Sequence, residues 1–390
     1  MKRVSMLAAA SVAIGAVTIG AAPAAKDPPP IANYWMDVAT ASGMGAGMTP
    51  GARPDMSQVM AMMNGGGGAV MHTLDLRLAS KDKAPAPAAD HLIPPGLQMG
   101  ASLPLIAPVR VEAPREPMQW QQPKGRMLIY WGCGEHVSAG QPTVIDFSKM
   151  APGKVPPGMA AMASMAHVVS GPTSAPGFGR WPNDRDRKQV PATGSLLGAH
   201  KVEGNYSPPI TFSLAAGQDF MPGLALREAG TLPSGADRLM WTQAALATGY
   251  ALAMFGSNQG GDVVMWSSAR TAQMAAMDYL APAEARRLVA AGAVLPPSAS
   301  ECVLPAEAAA AVPMGMVMMI GYGPEATFAE KPKAPKWTAR VRYKTTASVM
   351  RGMGGMMGAA DNGAPQDAQQ QQPKKKKRFG IGDLLGSVPH

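Results

Sequence analysis

The sequence lacks the short motifs that mark common classes of enzyme. It has no Gly-x-Ser-x-Gly, no phosphate-binding loop, and no Gly-x-Gly-x-x-Gly in the strand–helix setting that a dinucleotide requires. Its carboxylates are scattered, and no His, Asp or Glu grouping has the spacing of a zinc site. We therefore favour a non-enzymatic protein. A hydrolase stays open as a second alternative, because loops can assemble a site that leaves no local motif.

The chain also lacks the basic stripe of a nucleic-acid-binding protein. The net charge is +9, but Lys2 and Arg3 supply two of these charges and residues 347–390 supply a net of three. The remaining four are spread over residues 26–346 without clustering. Because phosphate recognition needs clustered cations on the folded body, we expect no nucleic-acid partner.

Cysteine is nearly absent, and the two residues present are Cys133 and Cys302. In an exported protein an even pair favours a disulfide, and two unpaired thiols are the alternative. A third interpretation makes Cys133 a nucleophile beside His136. This interpretation is disfavoured, because residues so close on one turn seldom reach the required geometry and no orienting third group is evident.

Long apolar runs are missing after the first 25 residues, so no later segment predicts a transmembrane helix. Residues 1–25 combine Lys2-Arg3, an apolar run over residues 6–19, and small residues. This pattern is typical of a secretory signal peptide, with cleavage expected near Ala24 or Ala25. The alternative, an uncleaved anchor, is disfavoured because the apolar run is short. We expect an exported protein located in the periplasm or outside the cell.

Glycine and proline are abundant, with 44 and 38 residues, while 46% of the chain is apolar. So many helix breakers beside so much apolar surface predict many short strands joined by turns. The expected fold is mainly β, with one or two β-sandwich-like domains, a few short helices, long loops and a disordered C-terminal tail.

The most strongly patterned stretch is residues 239–269, which predicts two or three strands around a polar loop at 256–261. Trp241, Tyr250 and Trp266 are its expected core residues. Alternation over residues 69–80 predicts a half-buried strand, and residues 281–291 predict a helix that begins at a proline and ends at a glycine. Residues 337–344 predict a strand whose Arg340, Arg342 and Lys344 face water.

The pair Trp241 and Tyr250 loosely resembles the buried Trp and structural Tyr of immunoglobulin-like and fibronectin type III modules. The resemblance covers about thirty residues. It implies a β-sandwich and carries no expectation about function.

These patterns divide the chain into five consecutive parts. They are a signal peptide at 1–25, a flexible Gly/Met/Pro-rich segment at 26–68, a β-rich domain at 69–230, a β-sandwich-like domain at 231–346 with the helix, and a disordered basic tail at 347–390.

Methionine is unusually frequent, with 31 residues. Thioether and imidazole together suit Cu(I), so an alternative function is a periplasmic copper(I)-binding protein. Its predicted ligands are Met159, Met162, Met165 and His167. Further methionines cluster at residues 56–63, 314–319 and 350–357, with Met71 and His72 beside the first of these. The competing interpretation, which we favour, is that methionine fills irregular gaps in a core and that the protein holds no cofactor.

The C-terminal tail is the clearest candidate for an interaction. Five consecutive cations precede a short apolar end, and they are Lys374, Lys375, Lys376, Lys377 and Arg378. Such a segment is suited to an anionic membrane surface or an envelope polymer, while a solvated tail without a specific partner is the alternative. The leading prediction is thus an exported, non-enzymatic binding or envelope-associated protein.

Overall fold

The computed structural model describes residues 28–43, 70–108, 125–149, 168–272, 274–331 and 334–352. These residues form a mainly β structure with two α-helices, α1 (Pro282–Ala290) and α2 (Ala306–Ala311), and two short 3-10 turns. The strands are β1 (Ala32–Gly43), β2 (Val70–Ser80), β3 (Ala89–Leu92), β4 (Ser102–Leu105), β5 (Arg126–Trp131), β6 (Thr143–Asp146), β7 (Gly177–Trp181), β8 (Gly198–Gly204), β9 (Ser207–Leu214), β10 (Arg227–Thr231), β11 (Asp237–Met240), β12 (Gly249–Ser257), β13 (Val263–Ser267), β14 (Glu301–Leu304), β15 (Gly315–Ala329) and β16 (Trp337–Arg351).

The largest element is a nine-stranded sheet in the order β6-β5-β13-β12-β15-β16-β1-β2-β7. Two neighbouring pairs are parallel, β1 with β16 and β13 with β5, and the other pairs are antiparallel. The first strand therefore pairs with the last described strand, about 300 residues away in sequence. This long-range pairing places the charged side chains of both strands side by side.

Two smaller sheets complete the structure, in the orders β4-β3-β8-β9 and β10-β11-β14. The four-stranded sheet lies against one face of the large sheet, where the rings of Tyr34 and Phe212 are 6.1 Å apart. We call this the inner face and the opposite one the outer face. Strand alternation sends Tyr34, Met36 and Val38 inward into the main core, and Trp35 and Asp37 outward.

The outer face is partly covered by α1. This helix begins at Pro282, where the missing N–H costs nothing, and the chain turns away at Gly292 with a φ of 74°. Ala285 and Leu288 are buried in a second apolar cluster with Ile320 of β15. The predicted helix is thus confirmed, and its apolar side rests on the sheet.

Several predicted strands are confirmed with their core residues. β12 and β13 form a hairpin around residues 258–262, and Trp241, Tyr250 and Trp266 are all buried. β2 buries Leu74, Leu76 and Leu78, as its alternation predicts. The rings of Trp241 and Tyr250 lie 5.7 Å apart in an edge-on contact. The large sheet itself combines antiparallel pairs with two parallel ones.

The structure corrects three other expectations. Residues 32–43 form a twelve-residue strand within the sheet, so the segment predicted as flexible over 26–68 contains a core element. Strands from both sides of residue 230 join one sheet, so the predicted division into domains at that point does not match the pairing. β16 continues to Arg351, so it includes the first five residues of the predicted tail, because β15 pairs with it as far as Gly315 opposite Arg351.

The predicted signal peptide at 1–25 and the basic run at 374–378 lie outside the described residues. Among the helices that the structure describes, none has the length and apolar character needed to cross a bilayer.

Candidate functional site

The two cysteines are joined. Cys133 and Cys302 form a disulfide that connects the turn after β5 to β14, with a Cα–Cα distance of 5.2 Å. The same turn is held by a hydrogen bond from the Gly134 N–H to the Val303 carbonyl, 2.9 Å. The predicted disulfide is confirmed. The alternative of a Cys133 nucleophile is wrong, because its sulfur is bonded to a second sulfur and is no free thiolate.

His136, the partner in that discarded interpretation, bonds elsewhere. Its Nδ1 lies 3.0 Å from Glu307 Oε1, and Glu307 Oε2 accepts the Val137 N–H at 3.1 Å. Both side chains line a shallow depression of about 570 Å³ with Ser234. The Ser234 hydroxyl is shielded from solvent and has no hydrogen-bond partner among the described atoms. A nucleophile–base pair of the kind a serine hydrolase uses is therefore not formed there.

The metal ligands predicted from sequence, Met159, Met162, Met165 and His167, lie outside the described residues, and that copper site stays a prediction. Met71 and His72, neighbours in sequence, point to opposite faces of β2. The His72 imidazole stacks on Phe220, with ring centroids 3.8 Å apart. Within the described ranges, no three His, Cys, Asp or Glu side chains are placed to hold a metal ion.

The most extensive polar constellation is one that the sequence patterns did not predict. It lies on the outer face over β2, β1, β16 and β15, whose register places Asp75, Asp37, Arg342 and Glu325 in one row. We call the following set the charged ladder: Trp35, Asp37, Asp75, Arg77, Asp278, Tyr279, Glu325, Arg340, Arg342 and Lys344. A signal was present in the two-residue spacing of Trp35-x-Asp37, Asp75-x-Arg77 and Arg340-x-Arg342-x-Lys344, which makes complementary rows once the strands are paired.

Arg342 is the centre of the ladder. Its guanidinium binds both carboxylate oxygens of Asp37, at 2.6 and 2.5 Å, and donates a third hydrogen bond to the Val169 carbonyl at 2.6 Å. Only 7% of the Arg342 side chain and 5% of the Asp37 side chain are exposed. The prediction that Arg342 faces water is therefore wrong. Residues 168–171 and 278–280 cover this strand face, and the paired Asp37 makes burial of the charge tolerable.

Aromatic rings alternate with the cations of the ladder. The Arg340 and Arg342 guanidinium carbons each lie 4.7 Å from the ring centre of Trp35. Arg342 also lies 4.6 Å from the ring of Tyr279, and the Lys344 ammonium lies 4.1 Å from that ring. These distances are within the range of cation–π attraction. The order Arg340, Trp35, Arg342, Tyr279, Lys344 thus forms a continuous stack that ties residues 278–279 to the sheet.

The charges of the ladder are matched by ion pairs. Asp75 pairs with Arg77 at 2.7 Å, Glu325 with Arg340 at 3.2 Å, and Asp278 with Lys344 at 2.9 Å. Burial alone would raise the pKa of Asp278, but the nearby Lys344 and Arg342 outweigh it and the pKa is lowered. Burial also raises the pKa of Tyr279. Asp278 therefore stays ionised and Tyr279 stays protonated at neutral pH. The ion pairs and stacked rings suit the ladder to holding structure or to recognising a polar surface.

A second polar constellation is buried between the sheets, on the inner face. Tyr34 Oη lies 2.8 Å from His91 Nδ1, His91 Nε2 lies 3.0 Å from His200 Nδ1, and His200 Nε2 lies 2.7 Å from the Leu196 carbonyl oxygen. All three side chains are almost completely buried. We call these three residues the Tyr–His–His chain.

Only one assignment of protons satisfies this chain with neutral rings. The Leu196 carbonyl can only accept, so His200 Nε2 carries the hydrogen and donates to it. His200 Nδ1 then accepts from His91 Nε2–H, and His91 Nδ1 accepts from the Tyr34 hydroxyl. Burial lowers the pKa of His91 well below its usual range, with His200 adding to the effect, and burial lowers the pKa of His200 as well. Burial likewise raises the pKa of Tyr34, so all three groups stay neutral.

Comparison with protein-family models, with curated proteins and with solved structures found no match for this chain. Its function is therefore inferred from its own residues.

Proposed function

We propose that this chain is an exported, non-enzymatic protein that associates with an anionic surface of the cell envelope through its basic C-terminal segment. Export is supported by the signal-like pattern of residues 1–25 and by the Cys133–Cys302 disulfide, since such bonds persist mainly in oxidising compartments.

The pairing of basic side chains is the observation that favours the C-terminal segment as the binding element. In the described part of the chain, eleven lysine and arginine side chains lie within ion-pair distance of a carboxylate. Residues 374–378, in contrast, are five consecutive cations, and residues 369–390 contain a single acid, Asp383. Each cation near an anionic bilayer contributes about 1 kcal/mol, so this segment has the larger potential for electrostatic binding.

A membrane surface fits better than a purely ionic polymer. Phe379, Ile381, Leu384 and Leu385 follow the cations directly and can enter the headgroup region at a shallow depth. The folded body would then act as a rigid unit held near the bilayer.

The test is sedimentation of the mature chain with vesicles containing phosphatidylglycerol, at low and at high salt. Replacing residues 374–378 by glutamine keeps the length and removes the charge, and we expect at least a hundredfold loss of binding at low salt, with salt weakening the wild type. The matched control changes the exposed Arg185 and Arg187 of the body to glutamine, which should leave binding intact. Equal binding by both variants would contradict the proposal, and binding to soluble anionic polymer alone would replace the membrane by that polymer.

We also infer that the two larger sheets form a sandwich-like core. The inference is supported by the Tyr34–Phe212 contact and by a shared cluster of buried side chains from both sheets. A measured distance between β1 and β9 that is too long for side-chain contact would contradict it.

A further inference from the structure

Four methionines converge where β15 and β16 begin and end. Met316 and Met350 stand directly opposite each other in the antiparallel register, and Met318 follows two residues after Met316 on the same side of β15. Their intervening residues Val317 and Met319 belong to the buried main core, so Met316, Met318 and Met350 point to the outer face.

Met314 joins this group from the turn before β15. It is 50% exposed, and its Cγ lies 3.4 Å from the point where a side chain on Gly352 would begin. Gly352 comes two residues after Met350, so the Met314 side chain reaches over the end of β16 beside Met350. We call Met314, Met316, Met318 and Met350 the methionine cluster.

Core filling accounts poorly for the cluster. Met36, Met254 and Met319 are fully buried on the inner face and fill the core as expected. The members of the cluster are instead half-buried or exposed. Directly opposite side chains on a sheet are about 4.5–5.5 Å apart at Cβ, and diagonal ones about 7–8 Å, so flexible methionines at these positions can bring their sulfurs together.

The side chains that surround the methionine cluster are uncharged. Phe255 of β12 stands opposite Met316, and Ser348 stands opposite Met318. The nearest charged side chain along β16, Arg351, turns to the other face and pairs with Asp237. Thioether ligands without carboxylates select soft monovalent metals over Zn²⁺, Ca²⁺ or Mg²⁺. The neighbouring ring of Phe255 adds a favourable face for a cation.

We propose that the methionine cluster is a binding site for a soft monovalent cation, Cu(I) or its analogue Ag(I), held by thioether sulfurs of Met316 and Met350 with Met314 and Met318 completing the shell. The site is separate from the ligands predicted at Met159, Met162, Met165 and His167, and it does not depend on envelope association.

The test is titration of the full mature chain with Ag(I), which needs no reductant and so leaves the Cys133–Cys302 disulfide closed. We expect one tight site, with shifts in the methyl resonances of Met316 and Met350 in protein labelled at the methionine methyl carbon. The double variant M316L/M350L should lose at least tenfold in affinity. Leucine keeps the apolar volume, and thermal unfolding of the metal-free variant checks that the fold is intact.

Two controls make the result specific. M265L changes a half-buried methionine of the outer face that is separated from Met316 by Phe255, and it should bind as the wild type does. M159L/M162L/M165L should also retain the affinity. The proposal is overturned if the wild type does not bind Ag(I), if M316L/M350L binds as tightly as the wild type, or if M265L loses as much affinity as the double variant.

Discussion

The two faces of the large sheet bury polar groups by opposite means. On the outer face, the charged ladder keeps full charges and surrounds each with a partner, as in the contact of Arg342 with Asp37. On the inner face, the three side chains of the Tyr–His–His chain are neutral. Each donates a hydrogen bond to the next group, and the last donates to the Leu196 carbonyl oxygen. The difference follows from access to water, because the inner face is covered by a second sheet while the ladder borders solvent.

This contrast predicts different vulnerabilities. A buried ion pair is costly to break from one side, since the remaining charge has lost its partner but not its burial. A neutral chain is less costly to interrupt, yet it responds to pH because histidine can gain a proton near neutrality. The ladder should therefore be sensitive to substitution, and the Tyr–His–His chain to acid.

The largest effect is expected from Asp37→Ala. This change leaves the Arg342 guanidinium buried without its carboxylate, and we expect a loss of about 3–5 kcal/mol in the free energy of unfolding. Urea denaturation followed by tryptophan fluorescence measures it. The matched control is Asp184→Ala, which breaks the pair with Arg187, in which both side chains are 71% exposed, and it should cost far less than Asp37→Ala. Similar losses in the two variants would show that burial does not distinguish the pairs.

The Tyr–His–His chain predicts a fall in stability between pH 7 and pH 5.5. Unfolded histidine takes up a proton near pH 6.5, while folded His91, with its lowered pKa, does not. The stability that neutral His91 contributes is therefore complete above pH 6.5 and is lost progressively as the pH falls toward the folded pKa. One such histidine costs about 1.4 kcal/mol by pH 5.5.

Urea denaturation at several pH values measures this slope. Carboxylates whose pKa is lowered titrate below this range, whereas Glu228, whose pKa burial raises, would change the slope in the opposite sense. His91→Phe removes the titrating ring and should flatten the slope, although His200, whose pKa burial also lowers, retains part of it. A slope that is unchanged in His91→Phe would assign the acid sensitivity to other groups.

The sequence distance between the partners of each contact explains which features could be predicted from sequence. The hairpin of β12 and β13 and the helix α1 depend on patterns within about thirty residues, and both are confirmed. β1 is not predicted from the sequence, because its neighbours include a proline run and its partner β16 is about 300 residues away. The ladder is not predicted for the same reason, since Asp37 and Arg342 meet only after that pairing forms. The disulfide was predictable because two cysteines allow one pairing.

The smallest effect is expected from Arg340→Gln at the solvent edge of the ladder. Its side chain is one-third exposed, pairs with Glu325 at 3.2 Å and lies over Trp35. An exposed ion pair and a cation–π contact together contribute about 1 kcal/mol, and solvent reduces that value. We expect a loss below about 1 kcal/mol in urea denaturation, smaller in high salt because the ion pair is screened. A loss comparable to that of Asp37→Ala would contradict this gradient and would mean that the alternating cations and rings act as one cooperative unit extending to the edge of the ladder.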